Sequence, residues 1–196
     1  MKSLALKLVF AFLLGLPFVN LHAQTEKGRL YVGANLSNVR LGLAPRYWQL
    51  GMDLEGRFGK FVADNLVFGG RLGLGFAAQR DGGSGFETTG FSVAPGAFGR
   101  YYIPVSKRFM PCVELETGVS KGFAVSNGIR YSPTWAYAQA SAGAAIFISD
   151  KASLDLSLGF RGTTGLDQPS IGTFTGGLQG KVGFSLYLPT GGNKMK

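Results

Sequence analysis

Tyr47-Trp48-Gln49-Leu50-Gly51-Met52-Asp53-Leu54-Glu55-Gly56-Arg57-Phe58 runs at a period of two. Trp48, Leu50, Met52, Leu54 and Phe58 share one parity, and Gln49, Gly51, Asp53, Glu55 and Arg57 share the other. A β-strand sends successive side chains to opposite faces, so this stretch is a ribbon with one apolar and one polar side. The same rhythm returns on either side of it. Leu66, Phe68, Leu72, Leu74 and Phe76 oppose Gly69, Arg71, Gly73, Gly75 and Ala77, and Leu154, Leu156, Leu158 and Phe160 oppose Ser153, Asp155, Ser157, Gly159 and Arg161. Val182, Phe184, Leu186 and Leu188 carry it to the end of the last such stretch.

Strands are expected near Arg29–Asn38, Tyr47–Phe58, Leu66–Gln79, Phe91–Ile103, Met110–Ser120, Trp135–Ile148, Ser153–Gly162 and Thr173–Leu188. Three connections between them read as tight turns: Gly59–Asn65, Pro104–Phe109 and Ser149–Ala152. Four read as longer loops: Val39–Arg46, Arg80–Gly90, Lys121–Thr134 and Thr163–Gly172. In an up-and-down barrel, odd and even connections lie at opposite ends. One end is therefore trimmed and the other elaborated, the asymmetry of periplasmic turns against extracellular loops.

A soluble barrel also alternates, but it keeps its apolar side inside. The non-apolar faces here are mostly Gly, Ala and Ser with isolated charges, whereas a soluble surface wants about 25–35% charged residues. That composition suits the interior of a narrow eight-stranded wall, and the 31 glycines relieve crowding there. The expected fold is all-β, an eight-stranded antiparallel up-and-down transmembrane β-barrel with its apolar face toward lipid.

Residues 1–24 read as a secretory signal peptide, leaving residues 25–196 as the barrel domain. Lys2 and Lys7 supply the positive start, Leu8 to Val19 the apolar stretch, and Leu21-His22-Ala23-Gln24 the cleavage region. Pro17 and Asn20 interrupt a stretch already shorter than the roughly 20 residues a spanning helix needs. The whole chain has a formal charge of +9, which loss of Lys2 and Lys7 lowers to +7. The basic residues are scattered and form no nucleic-acid motif, so anionic lipid headgroups or acidic polysaccharide are the expected counterpart. Cys112, the sole cysteine, can form no internal disulfide. His22, the sole histidine, leaves with the signal peptide, which argues against imidazole-based hydrolysis and histidine-ligated metal. No cofactor is expected.

On the inward parity lie Asp53, Glu55, Arg57, Arg71, Arg100, Glu114, Glu116, Asp155, Arg161 and Lys181. Buried charges are costly unless paired, so these ten are expected to form a structural salt-bridge network across the lumen. The alternative, Glu114 and Glu116 as a catalytic pair, is opposed by the abundant bases around them. Trp48, Phe76, Tyr101, Tyr102, Trp135, Tyr137 and Tyr187 are expected in aromatic girdles at the two lipid–water boundaries rather than on a ligand.

The run Gly59-Lys60-Phe61-Val62-Ala63-Asp64-Asn65-Leu66-Val67-Phe68-Gly69 resembles the turn-and-strand signature of small, porin-family-like outer-membrane β-barrel proteins common in Bacteroidota. Arg100-Tyr101-Tyr102-Ile103-Pro104 and Phe147-Ile148-Ser149-Asp150-Lys151 are similar to later strand ends and turns of that family. The final strand, with Lys181, Gly183, Leu186 and Leu188, is similar to the signal by which the barrel-assembly machinery recognises its clients. The resemblance implies an outer-membrane location, contact with outer-membrane lipid and lipopolysaccharide, and no transferable catalytic set. The expected role is a non-enzymatic anchor presenting surface loops to envelope or extracellular partners. A narrow porin-like solute channel, an outer-leaflet lipid-modifying enzyme and a soluble ligand-binding barrel are the alternatives.

Overall fold

A computed structural model of the chain describes residues 25–44, 47–83, 85–167 and 175–189, the side chain of Leu43 excepted. The proposed signal peptide and most of the connection after Thr163 lie outside the described residues. The described residues form nine strands: β1 (Leu30–Ala44), β2 (Tyr47–Ala63), β3 (Leu66–Asp81), β4 (Phe86–Tyr102), β5 (Phe109–Ser126), β6 (Ile129–Tyr131), β7 (Thr134–Ser149), β8 (Ala152–Gly165) and β9 (Thr175–Leu188). Eight of them pair antiparallel in chain order, and β9 returns to β1 through Leu30 opposite Leu188 to Ser37 opposite Lys181. These eight strands thereby close into a barrel. β6 pairs only with the end of β5.

The apolar parity faces out. Leu54, Phe58, Leu72, Leu74, Leu115, Leu156, Leu158 and Val182 are all exposed, Leu115 by 67%. An apolar surface that encircles the molecule belongs in lipid, and the fold is a transmembrane β-barrel.

The strands are longer than the alternation suggests. Lipid needs about 9–11 residues of tilted strand, whereas β5 has 18 residues and β2 has 17. Much of the surplus lies at the elaborated end. Val39–Ala44 of the expected first loop is strand, and so is most of Arg80–Gly90. Lys121–Thr134 is also largely strand: β5 runs on to Ser126 and turns back into β6. Asn127 and Gly128 form that turn with φ of 48° and 81°. Two successive positive φ values define a type I′ hairpin, whose twist matches the strands it joins. The alternation itself continues along this part of β5: Phe123 and Val125 are exposed on the outer face, in step with Val119.

At the trimmed end, Asp64-Asn65 and Asp150-Lys151 make two-residue turns, with Ala63 opposite Leu66 and Ser149 opposite Ala152. Asn65 takes a φ of 63°, a conformation asparagine tolerates. The segment Thr25–Arg29 packs against this end. Thr25 is buried, its hydroxyl bonds to Asn65 Oδ1 at 2.5 Å, and the Lys27 amide donates to Asp64 Oδ1 at 2.9 Å.

Candidate functional site

Three layers fill the lumen from the trimmed end upward. The first is apolar: Tyr31, Phe61, Val67, Phe98, Tyr102, Met110, Cys112, Ala145, Phe147 and Tyr187 form one buried cluster. Its rings meet at centroid distances such as 5.0 Å for Phe147 and Tyr187 and 5.6 Å for Tyr31 and Phe98. The tyrosine hydroxyls are satisfied at its upper edge. Ser185 donates to Tyr31 at 2.8 Å, and Tyr187 lies 3.0 Å from the Ser153 hydroxyl and 3.2 Å from that of Tyr102. Cys112 is a buried free thiol within this cluster.

The second layer is ionic. β2 and β5 are separated by two strands along the wall, yet Arg57 reaches across to Glu114 and Glu116 while also pairing with Glu55. Arg71 bridges Glu55 at 2.5 Å and Glu116 at 2.6 Å, and Arg100 bridges Glu114 at 2.6 Å and Asp155 at 2.5 Å. Lys181 binds Glu116 at 2.5 Å and stands 3.8 Å from Glu55. Four cations thus meet four carboxylates, and each cation touches at least two acids. The side chains are at most 6% exposed, so the layer is packed and neutral. Arg57 and Arg100 also lie over the rings of Phe98 and Tyr31, at 5.1 and 5.5 Å, which joins this layer to the one below.

Eight of the ten inward charges named from the sequence come together here. Asp53 and Arg161 sit one layer higher and join no ion pair in it. Asp53 Oδ2 accepts from Asn38 Nδ2 at 2.5 Å, and the Arg161 guanidinium lies 4.1 Å from the centroid of Tyr137. Arg71 covers Tyr137 at 5.1 Å, so one ring serves two guanidinium groups. Tyr137 itself lies across Gly96 and Gly118, which face each other on β4 and β5. A Cβ on either glycine would collide with its hydroxyl.

The third layer is a polar cavity of about 400 Å³ at the elaborated end. Arg71 and Glu55 form part of its floor; Asp53, Arg161, Gln179 and Trp135 stand in its wall. Trp135 rests along the inner wall beside Gly122, where an added Cβ would come within 2.9 Å of the ring. Several buried polar atoms in and beneath this region have no protein partner among the described residues: Gln179 Oε1, both polar atoms of the Gln139 side chain, Ser141 Oγ and Arg71 Nε.

The girdle expectation divides. Trp48, Phe76 and Tyr101 are exposed on the outer face, but Tyr102, Tyr137 and Tyr187 are buried in the lumen and Trp135 lines the cavity. Parity carried this information: Tyr102 keeps step with Arg100, Tyr137 with Gln139, and Tyr187 with Lys181 and Ser185. Asn35, which bonds to Glu55, shares the parity of Gly33, whereas Asn38, which bonds to Asp53, lies within the register shift between Ser37 and Arg40. In the proposed assembly signal, Lys181 points into the ionic layer, whereas Leu188 is exposed on the outer face. Glu114 and Glu116 are clasped by Arg57, Arg71, Arg100 and Lys181, so that each of their carboxylate oxygens faces a cation.

No protein-family model matches the chain, and no curated protein matches it. Solved structures do. Neisserial surface protein A superposes with a TM-score of 0.55 at 12% identity, covering 82% of this chain and 97% of that one. The N-terminal β-barrel domain of Pseudomonas aeruginosa OprF superposes with a TM-score of 0.52 at 14% identity, covering 83% and 98%. At such identities the likeness is one of fold, and the fold is that of the small eight-stranded outer-membrane β-barrels.

Proposed function

We propose that this chain is a non-enzymatic integral outer-membrane protein, exported by a cleaved N-terminal signal, whose barrel anchors an elaborated end for interactions at the cell surface. The observation that carries this reading is the packed neutral ionic layer resting on an aromatic cluster. Together they fill the lumen from wall to wall, so the work of the protein falls to its outer face and its upper end. Loops and extended hairpins held by a rigid scaffold are the usual carriers of recognition. Here those are the β3–β4 turn and the β5–β6 hairpin. The turn motifs at Asp64-Asn65 and Asp150-Lys151 support the Bacteroidota-type group within this fold. The outward belt supports contact with membrane lipid and lipopolysaccharide, and the β9 pattern supports handling by the barrel-assembly machinery.

Outer-membrane fractions from cells expressing the protein provide the test. An unboiled sample should run faster on a denaturing gel than a boiled one, and the purified barrel should give no conductance steps in planar bilayers. Recovery from the soluble periplasm would sink the membrane assignment. Steady conductance would favour the narrow-channel alternative.

A further inference from the structure

The geometry points to a binding site in the upper lumen for a compact organic anion of monosaccharide size, its acidic group on Arg161 and its ring against Trp135. The cavity of about 400 Å³ falls within the roughly 300–1,000 Å³ of small-molecule sites. Its charge is unbalanced. Glu55 and Arg71 neutralise each other and their neighbours in the layer below. This leaves Arg40 and Arg161 against Asp53 alone, and one Asp53 oxygen is already taken by Asn38.

Arg161 is the cation fitted for a ligand. Its guanidinium is fixed by stacking on Tyr137 at 4.1 Å, and it makes no ion pair among the described residues. A planar fork of donors held in this way matches a carboxylate or a phosphate. Independently, Gln179 is 4% exposed and lines the cavity, and its Oε1 has no partner among the described residues. A buried acceptor without a donor costs free energy that a ligand hydroxyl would recover. Trp135 supplies an apolar face on the same wall, held beside Gly122. Cation, buried amide acceptor and aromatic platform within one small cavity select a hydroxylated ring that carries an acid.

Calorimetry on the detergent-solubilised full barrel with glucuronate and with glucose tests this. Glucuronate should bind saturably and at least about tenfold more tightly than glucose, the discrimination that one charge-assisted contact provides. Arg161→Gln should abolish that difference, and Trp135→Leu should weaken both sugars together. Heat-modifiable migration shows that each variant is folded; where Arg161→Gln is not, Arg161→Lys keeps a cation in place and should retain only part of the preference. Equal affinity for the two sugars, no saturable binding of glucuronate, or binding unchanged in a folded Arg161 variant would overturn the assignment.

Discussion

Arg57 donates from Nε to Glu55, from Nη1 to Glu114 and from Nη2 to both Glu114 and Glu116, with its guanidinium wholly buried. Arg57→Met keeps most of the volume and removes the charge, leaving four carboxylates to three cations. Breaking a buried pair by deleting one partner costs about 3–5 kcal/mol. The low end applies here, because Glu55 and Glu116 retain Arg71 and Lys181, and Glu114 retains Arg100. A loss of about 3 kcal/mol, with a slope of about 4 kcal/mol/M in guanidinium, lowers the unfolding midpoint by roughly 0.8 M. The assay is reversible unfolding of the barrel in detergent or lipid, followed by the gel-mobility shift. Arg57→Met/Glu114→Leu restores neutrality and should recover more than half of the loss, since apolar replacement of a buried pair is often neutral. A single-variant midpoint within about 0.2 M of wild type would show that Arg57 does not hold the layer together. So would a double variant whose loss equals the sum of the two singles, because coupled groups are not additive.

Gly118→Val drives a side chain into the Tyr137 hydroxyl, the Pro95 carbonyl and the Gly96 backbone; the folded, fast-migrating band should be lost or strongly reduced, while Val119→Ala on the outer face should leave it intact. Asn127→Ala places alanine at a φ of 48°; it should cost about 1–2 kcal/mol, felt locally, and amide exchange should speed up across Ser126–Tyr131 with barrel unfolding unchanged. Leu74→Arg, within the apolar belt, should cost about 2–4 kcal/mol in lipid, whereas Val125→Arg near the β5–β6 hairpin should cost about 0–1 kcal/mol; equal costs would contradict the placement of the belt.

Strand identity and facing were legible because both follow from a period of two. Leu154, Leu156 and Leu158 face out and Asp155 faces in, as their alternation requires. Strand length was not. Lys121–Thr134 contains Gly, Ser and Pro that suggest a loop, yet most of it pairs, and Phe123 and Val125 stay on the outer face in step with Val119. Asn127-Gly128 was a readable hairpin signal within that stretch. Residue type alone suggests a girdle for Tyr102, Tyr137 and Tyr187, whereas their parity sets them in the lumen; aromatic chemistry suits either place, and only parity decides. The inward charges were legible as a set, but their partners were not. Arg57 and Glu114 are 57 positions apart on non-adjacent strands, and closure of the barrel alone brings them together. The cavity also lay beyond the sequence, since it depends on where the filling layers stop.

The apolar parity faces lipid and the other parity faces a filled lumen. Single-tryptophan variants, made with Trp48 and Trp135 replaced by Phe, report on it directly in bilayers of brominated lipid. Leu74→Trp sits on the outer belt of β3, and Ser92→Trp lines the upper cavity one residue away in register on β4. Leu74→Trp should be strongly quenched and Ser92→Trp little. Quenching of Ser92→Trp with Leu74→Trp spared would mean that the barrel is inside out.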